Sequence, residues 1–248
     1  MKKYNLNSAI ILYRESYWDE RALGIASLDI ISIEVEDKRD FILLVENFLK
    51  YLNNKYKFVS YRMTTQDSVL KKELIENGFI LVEQSYIVEC LNPQIQFNSV
   101  LKMDVGYLVD SVEDIEQVIK ISKEDFHFGR FFEDPFIENS VAQTRNEYWI
   151  HDMIDDPTCK ILLAKKNNSV IGFMAFKMSE NKVELLLGGL TSKYAHLSYS
   201  FWSYMFKVYF RNKLIKTTIS CSNIGVVNLY KKFGFYISKH MLGFHLHI

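Results

Sequence analysis

Proline and glycine are scarce, at 3 and 10 of 248 residues, too few for a collagen-like or linker-rich chain. Cysteine is equally thin. Cys90, Cys159 and Cys221 are far apart, odd in number, and form no Cys-x-x-Cys or Cys/His cluster. Neither a disulfide framework nor a structural zinc site has sequence support, so a reducing cytoplasm is the expected compartment. Net charge is also missing, since 30 Lys+Arg balance 30 Asp+Glu. A general nucleic-acid binder needs surplus positive charge to displace phosphate counterions, so no nucleic-acid partner is expected. No stretch approaches the ~20 apolar residues of a membrane span. The early apolar run is closed by Arg14 and Glu15, too soon for a signal core. No membrane partner is expected.

What remains is ordinary globular material, with 48% apolar and 24% charged residues, enough to bury a real core. At about 150 residues per domain the length fits one large domain or two modest ones. Residues 37–52 carry Phe41, Leu44, Val45, Phe48, Leu49 and Leu52 at spacings of three and four, which predicts a helix. Residues 68–76 predict another, stopped by Asn77-Gly78. Strands are expected at 9–13, 24–35 (one long strand or a hairpin arm), 56–61 and 79–90. Leu91-Asn92-Pro93 then breaks regular structure, and a polar stretch follows through residue 98. The domain boundary is placed there, giving halves 1–95 and 101–248.

In the second half, helices are expected at 112–121, 139–154, 201–209 and 224–232. Asn-rich turns separate strands at 160–164, 170–177 and 183–190, a hairpin meander. A strand at 216–220 and a strand pair at 235–247 complete the chain. The class is α/β with a mixed, twisted sheet. At an offset of 156 positions, LKKELIENGFILV (residues 70–82) lies on VVNLYKKFGFYIS (residues 226–238). In both, a helix runs into Gly-Phe and a strand. This fits either two related halves or a coincidence of common helix–Gly–strand junctions.

The most informative stretch is Asn223-Ile224-Gly225-Val226-Val227-Asn228-Leu229-Tyr230-Lys231-Lys232-Phe233-Gly234-Phe235. It resembles the closing motif of the GNAT acyltransferase superfamily: an Asn opening a helix, a Leu-Tyr pair, then Gly-Phe. With the preceding hairpin meander, the resemblance covers roughly residues 101–248, and residues 1–95 look like a smaller, degenerate GNAT-like half.

The resemblance implies an N-acetyltransferase. Acetyl-CoA would lie where strand 183–190, ending at Leu190, splays from strand 216–220. Its pantetheine amides would pair with the free edge of the first strand. An amine attacks the thioester, and backbone N–H groups hold the oxyanion. Tyr230 falls at the family's Tyr position, where a phenol donates a proton to the departing thiolate. Asn223 would hydrogen-bond the cofactor arm. The same residues also fit a packed core tyrosine and a plain helix N-cap. In the echo, Leu74 stands opposite Tyr230 and Asp67 opposite Asn223, so only the second half would own the acid. No general base is evident; Glu184 lies on the relevant strand.

The family places an Arg/Gln-x-x-Gly-x-Gly/Ala loop around the cofactor pyrophosphate. Here the equivalent is Ala195-His196-Leu197-Ser198-Tyr199-Ser200, with serines at both key glycine positions and alanine at the opening one. Serine hydroxyls and N–H groups, with Lys193 or His196 for charge, would have to serve, and an ordinary solvated loop fits as well. Gly188-Gly189 inside an apolar strand marks a bulge or a close backbone approach.

Residues 126–136, FHFGRFFEDPF, form an aromatic run without periodicity between two helices. That run, followed by Tyr148-Trp149-Ile150 and preceded by Trp18-Asp19 and Gly78-Phe79, is similar to bacterial nucleotide-sugar N-acyltransferases of the dTDP-fucosamine acetyltransferase type. The resemblance implies a nucleotide-linked deoxyamino sugar for surface polysaccharide as the acceptor. Arg130 would clamp a diphosphate, Phe131 would stack on a base or sugar, and His127 would bond a hydroxyl. A packed aromatic lid, with Arg130 paired to Glu133 or Asp134, fits too. The sequence lacks the aromatic expected before Gly24. His245 and His247 share one strand face, but no third ligand is visible, so no metal is expected. Two rivals stay open: a GNAT acting on another small amine or peptide N-terminus, and a non-catalytic GNAT-like binding protein. The aromatics permit a homodimer.

Overall fold

Hydrophobic periods of two and of three to four resolve into alternating strands and helices. The computed structural model describes residues 1–7, 9–37, 40–52, 55–95, 103–108 and 111–248. The first elements are β1 (Lys2–Leu6), β2 (Ala9–Glu15), α1 (Tyr17–Leu23), β3 (Ser27–Glu34), α2 (Asp40–Leu52), β4 (Phe58–Thr64), α3 (Ser68–Glu76) and β5 (Ile80–Cys90). There follow β6 (Asp104–Tyr107), α4 (Val112–Glu124), α5 (Asn139–Asp155), β7 (Cys159–Lys166), β8 (Ser169–Met178) and β9 (Lys182–Leu190). A 3-10 helix (Ser192–Leu197), α6 (Ser198–Val208), β10 (Leu214–Ser220), α7 (Ile224–Lys232) and β11 (Tyr236–His247) complete the chain. The expected boundary segment at 96–100, and residues 101 and 102, lie outside the described residues.

Two compact units result, and neither is continuous in sequence. The first comprises Met1–Ser85, Gly129–Arg145 and His240–Ile248; the second comprises Tyr86–Phe128 and Asn146–Lys239. The units therefore do not coincide with chain halves 1–95 and 101–248. The reason is strand length. β5 and β11, at 11 and 12 residues, are long enough to give one end to each unit.

In the first unit the strand order is β1-β2-β3-β4-β11-β5. β3 and β4 run parallel, while β1/β2, β2/β3 and β4/β11 are antiparallel. Leu44, Val45, Phe48 and Leu52 of α2 share a core with Ile11, Leu28 and Val59 of the sheet. In the second unit the order is β11-β5-β10-β9-β8-β7-β6. There β9 and β10 are parallel and the β6–β9 meander is antiparallel. One core lies around Phe201, Trp202, Met205 and Phe206 of α6, and a second contains Val118, Ile121, Ile150 and Met153 of α4 and α5.

The 156-residue echo is structural. Asp67 and Asn223 cap α3 and α7 alike, each accepting the N–H three residues on, from Leu70 and Val226, at 3.1 Å. Gly78 and Gly234 follow with φ of 87° and 79°. Phe79 N–H then reaches Leu74 O at 3.0 Å, and Phe235 N–H reaches Tyr230 O at 3.2 Å. Because each cap satisfies an otherwise orphaned donor, Asp67→Ala and Asn223→Ala should each lower stability by about 1 kcal/mol. Urea melts should show the two midpoints falling together with unchanged slope.

Two local readings are corrected. Residues 24–35 are not one strand, because Gly24 closes α1 in the left-handed region (φ 70°) and β3 begins at Ser27. The expected strand pair at 235–247 is one strand. Gly243, which suggests a turn, instead allows close approach, since a Cβ there would meet the Glu83 side chain at 3.3 Å. The short elements β1, α1 and β6 lacked enough period to be seen.

Candidate active site

β9 and β10 are joined only at their beginnings. Parallel pairs run from Leu214↔Lys182 to Thr217↔Leu185, and no further pair joins them among the described residues. Thr217 closes the paired end, its hydroxyl donating to Leu185 O at 3.1 Å. Beyond it β9 stays with β8 through Leu190↔Gly172, and residues 186–189 are half-buried. The β8/β9 register slips so that Leu186 has no partner, a bulge that bends β9. The expectation at Gly188-Gly189 is thus met in two places. The bulge comes two residues earlier, and the close approach is at Gly188, where a Cβ would lie 2.5 Å from Phe173 O.

Tyr230 projects from α7 into the core and is 3% exposed. Its ring makes edge contacts with Phe235 (centroids 4.8 Å apart) and Trp202 (6.5 Å). Burial pushes the phenol up to about 12, with the Trp202 indole and the Thr217 hydroxyl beside it pulling the other way. The phenol therefore stands next to Thr217, the last paired residue of β10. Trp202 Nε1 is buried and makes no hydrogen bond among the described residues. Asn223 is the α7 N-cap, so its side-chain oxygen is already engaged by Val226 N–H. Its amide group is what remains for a ligand. Leu190 is buried at the end of β9, and Glu184 is exposed.

The pyrophosphate stretch takes an unexpected form. Residues 192–197 wind as a 3-10 helix that runs directly into α6, and Ser198 N–H is donated to Ala195 O. A helix start preceded this way offers fewer bare N–H groups than an open loop. Lys193, Ala195 and His196 are exposed, Ser198 and Ser200 half-buried. Leu197 is in the core, and Tyr199 stacks on Phe233 with centroids 4.8 Å apart.

His127, Arg130 and Phe131 are divided between the two units. His127 is exposed and belongs to the second unit, while Arg130 and Phe131 belong to the first. Arg130 pairs with neither Glu133 nor Asp134. Its guanidinium meets Asp19 at 3.1 Å, and Arg145 meets the same carboxylate at 2.7 Å. Ser16 adds a hydroxyl donor at 2.8 Å. Burial alone would raise the Asp19 pKa, but Arg130 and Arg145 outweigh it and hold the carboxyl below its ordinary value. Burial lowers Arg130 to about 10, against the pull of Asp19. Phe131 is 3% exposed, with the Arg145 guanidinium 4.4 Å from its centroid and Phe58 at 5.8 Å. It is a core residue, unavailable for stacking on a base.

Glu133 accepts Gly129 N–H at 3.0 Å. Asp134 instead receives both strand histidines. His245 Nδ1 and His247 Nε2 lie 2.6 and 2.8 Å from Asp134 Oδ2. Burial would raise Asp134, but these contacts and the Phe136 N–H hold it well below the carboxylate range. Burial lowers His245 to about 4 despite its bond to Asp134. The sequence showed the two histidines on one face but not their carboxylate, which is 111 residues away.

No protein-family model and no curated protein matches the chain. Solved structures do. A functionally unknown conserved protein from Staphylococcus epidermidis ATCC 12228 matches with TM-score 0.67 and 12% identity over 99% of this chain and 94% of that one. A GCN5-related N-acetyltransferase from Sphaerobacter thermophilus matches with TM-score 0.62 and 10% identity over 97% and 76%. A tandem GNAT protein from the clavulanic acid biosynthesis pathway matches with TM-score 0.54 and 7% identity over 90% and 77%. The fold is GNAT-like, in two halves. At these identities the likeness is one of fold. Within the second GNAT-like half Tyr230 carries a hydroxyl. In the first, the equivalent Leu74 is fully buried and carries none.

Proposed function

We propose that the second unit transfers an acetyl group from acetyl-CoA to the amine of a small acceptor. The observation that carries this reading is the gap beyond Leu185 and Thr217, with the Tyr230 phenol at its closed end. Pantetheine amides would pair with the open side of β9, and Leu186, standing outside the β8 ladder, would offer its N–H to the thioester oxygen. The amine nitrogen bonds to the carbonyl carbon, the C–S bond breaks, and the amine proton leaves to water or to exposed Glu184. Tyr230 would stand toward the sulfur. A phenol held near 12 is uphill of an ordinary thiol by about 3.5 units (12 less about 8.5). Its contribution is therefore a hydrogen bond that strengthens as sulfur gains charge, with the thiolate finally protonated from solvent.

The acceptor we favour is a nucleotide-linked deoxyamino sugar, in a cytoplasmic enzyme of the dTDP-fucosamine acetyltransferase type. That choice rests on the sequence resemblance through Trp18-Asp19 and Tyr148-Trp149-Ile150. Arg130 and Phe131 lend it no support, because Asp19 and the core already engage them. No helix among the described residues is long and apolar enough to cross a membrane. A second reading, a GNAT-like protein that binds without transferring, is favoured by the 3-10 helix where an open phosphate loop is expected.

Acetyl-CoA at 100 times its Kd should add about 2.7 kcal/mol of stability. For a chain of this size that is a melting shift of roughly 5–10 °C. Thiol release with a panel of amines and amino sugars, followed by product mass spectrometry, then identifies the acceptor class. No shift at millimolar acetyl-CoA sinks the transferase reading; a shift without thiol release on any amine supports the binding protein.

A further inference from the structure

We propose that Asp134, His245 and His247 form a mononuclear metal site suited to Zn2+, which fastens residue 134 to strand β11. The site lies within the first unit and is independent of the acetyl-transfer reading. His245 and His247 alternate along β11, so both rings leave the same face. They converge on one carboxylate oxygen, Asp134 Oδ2, at 2.6 and 2.8 Å, and one ligand atom from each of the three residues lies within 4.8 Å of the others. Zn2+ bonds of about 2.0–2.2 Å at tetrahedral angles place ligand atoms roughly 3.4 Å apart. An ion therefore needs each N···O spacing to open by under about 1 Å, within reach of side-chain rotation. Two imidazoles and a carboxylate are the donor set of a three-ligand zinc centre with an open fourth position.

The surroundings fit. Asp134 is held from behind, its other oxygen accepting Phe136 N–H at 2.8 Å, the outer contact that fixes a ligand's orientation. Phe58 and Phe131 make edge contacts with His245 at 4.7 and 5.6 Å, which keeps water from that side. Asp134 and His245 side chains are fully buried, while His247 is 30% exposed. Solvent thus reaches the cluster at His247, which gives an entry path and a place for a water ligand. The charge of nearby Arg130 is balanced by Asp19.

His245 Nε2 supplies a separate argument. It is buried and makes no hydrogen bond among the described residues. If Nδ1–H donates to Asp134, Nε2 is a lone pair with no donor, an unfavourable state for a buried acceptor. If Nδ1 binds a metal, Nε2 carries the proton and presents an N–H among aromatic rings, a weakly favourable one.

The test uses the full chain, stripped with a chelator and titrated with Zn2+ alone and with Co2+ alone. We expect one equivalent of Zn2+ per chain, a higher melting temperature, and a visible Co2+ absorption typical of a four-coordinate site. His247→Ala removes the exposed ligand and should weaken Zn2+ binding at least tenfold while the far-UV circular dichroism stays unchanged. Asp134→Asn keeps the shape and one acceptor oxygen, and should also lose the Zn2+-dependent melting shift. A merely structural Asp–His–His tie predicts variants that melt lower with no dependence on Zn2+. Absence of stoichiometric binding at micromolar Zn2+ overturns the proposal, as does His247→Ala binding like the wild type.

Discussion

Asp19→Ala should lower the stability of the chain by about 3–5 kcal/mol, read as a collapse of the urea midpoint. Asp19 is 0% exposed and faces two guanidiniums whose side chains are only 13% and 19% exposed. Removing the carboxylate takes from Arg130 and Arg145 the buried counter-charge they share, and from the Ser16 hydroxyl its acceptor. The Phe131 face against Arg145 cannot make good that loss, because a cation–π contact is worth about 0.5–2 kcal/mol. Asp19→Asn keeps an acceptor and should fall between. The Arg14–Asp29 pair provides the contrast. Arg14 is 47% exposed, so Arg14→Ala should cost under about 1 kcal/mol. The sign with pH follows from the lowered Asp19 pKa. Its stabilisation is complete above the unfolded value of about 3.9 and disappears as pH falls through the lower folded value. The difference between wild type and Asp19→Asn should therefore be flat above about pH 5 and shrink in acid. An Asp19→Ala chain as stable as wild type would mean that the two arginines find other partners.

That cluster marks the limit of what the sequence discloses. Helix caps are local, so Asn223 was legible as an N-cap, and so was the helix–Gly–strand junction. Long amphipathic periods were legible too, which is why α2 and α7 fall where the pattern put them. A pairing partner is not local. Arg130 and Arg145 reach Asp19 across 111 and 126 residues, and no spacing rule links them. The Arg-aromatic run therefore read as a ligand clamp when its charge was already matched. His245 and His247 illustrate the same gap from the other side. Period two placed them together, and only the fold supplied Asp134. The division of β5 and β11 between units escaped the chain reading as well, since a boundary sought in polar residues cannot reveal a strand with one end in each unit. At the gap the sequence did better. The resemblance implied that strand 183–190 splays from strand 216–220, and the pairing does stop after Leu185, although the bulge at Leu186 was not foreseen.

Tyr230→Phe should lower kcat for acetyl transfer by roughly 10²–10³, the loss of one donor to developing charge, while leaving KM for acetyl-CoA within a few-fold. The argument depends on separating packing from chemistry. The ring is what touches Phe235 and Trp202, and phenylalanine keeps it. The hydroxyl has only Thr217 and the Trp202 indole beside it, so its removal should change stability by no more than about 1 kcal/mol. A large kinetic loss with an unchanged melting curve thus belongs to the hydroxyl. Thr217→Val is the control. It removes a neighbouring hydroxyl and the bond to Leu185 O but leaves the phenol in place, and should cost far less in kcat. The pH profile adds a second readout. A donor raised to about 12 is protonated across the neutral range, so Tyr230 should impose no alkaline fall in kcat below that value. If Tyr230→Phe turns over like wild type, the phenol is a core residue like Leu74 in the first half, and the departing sulfur leaves without a hydrogen bond from it.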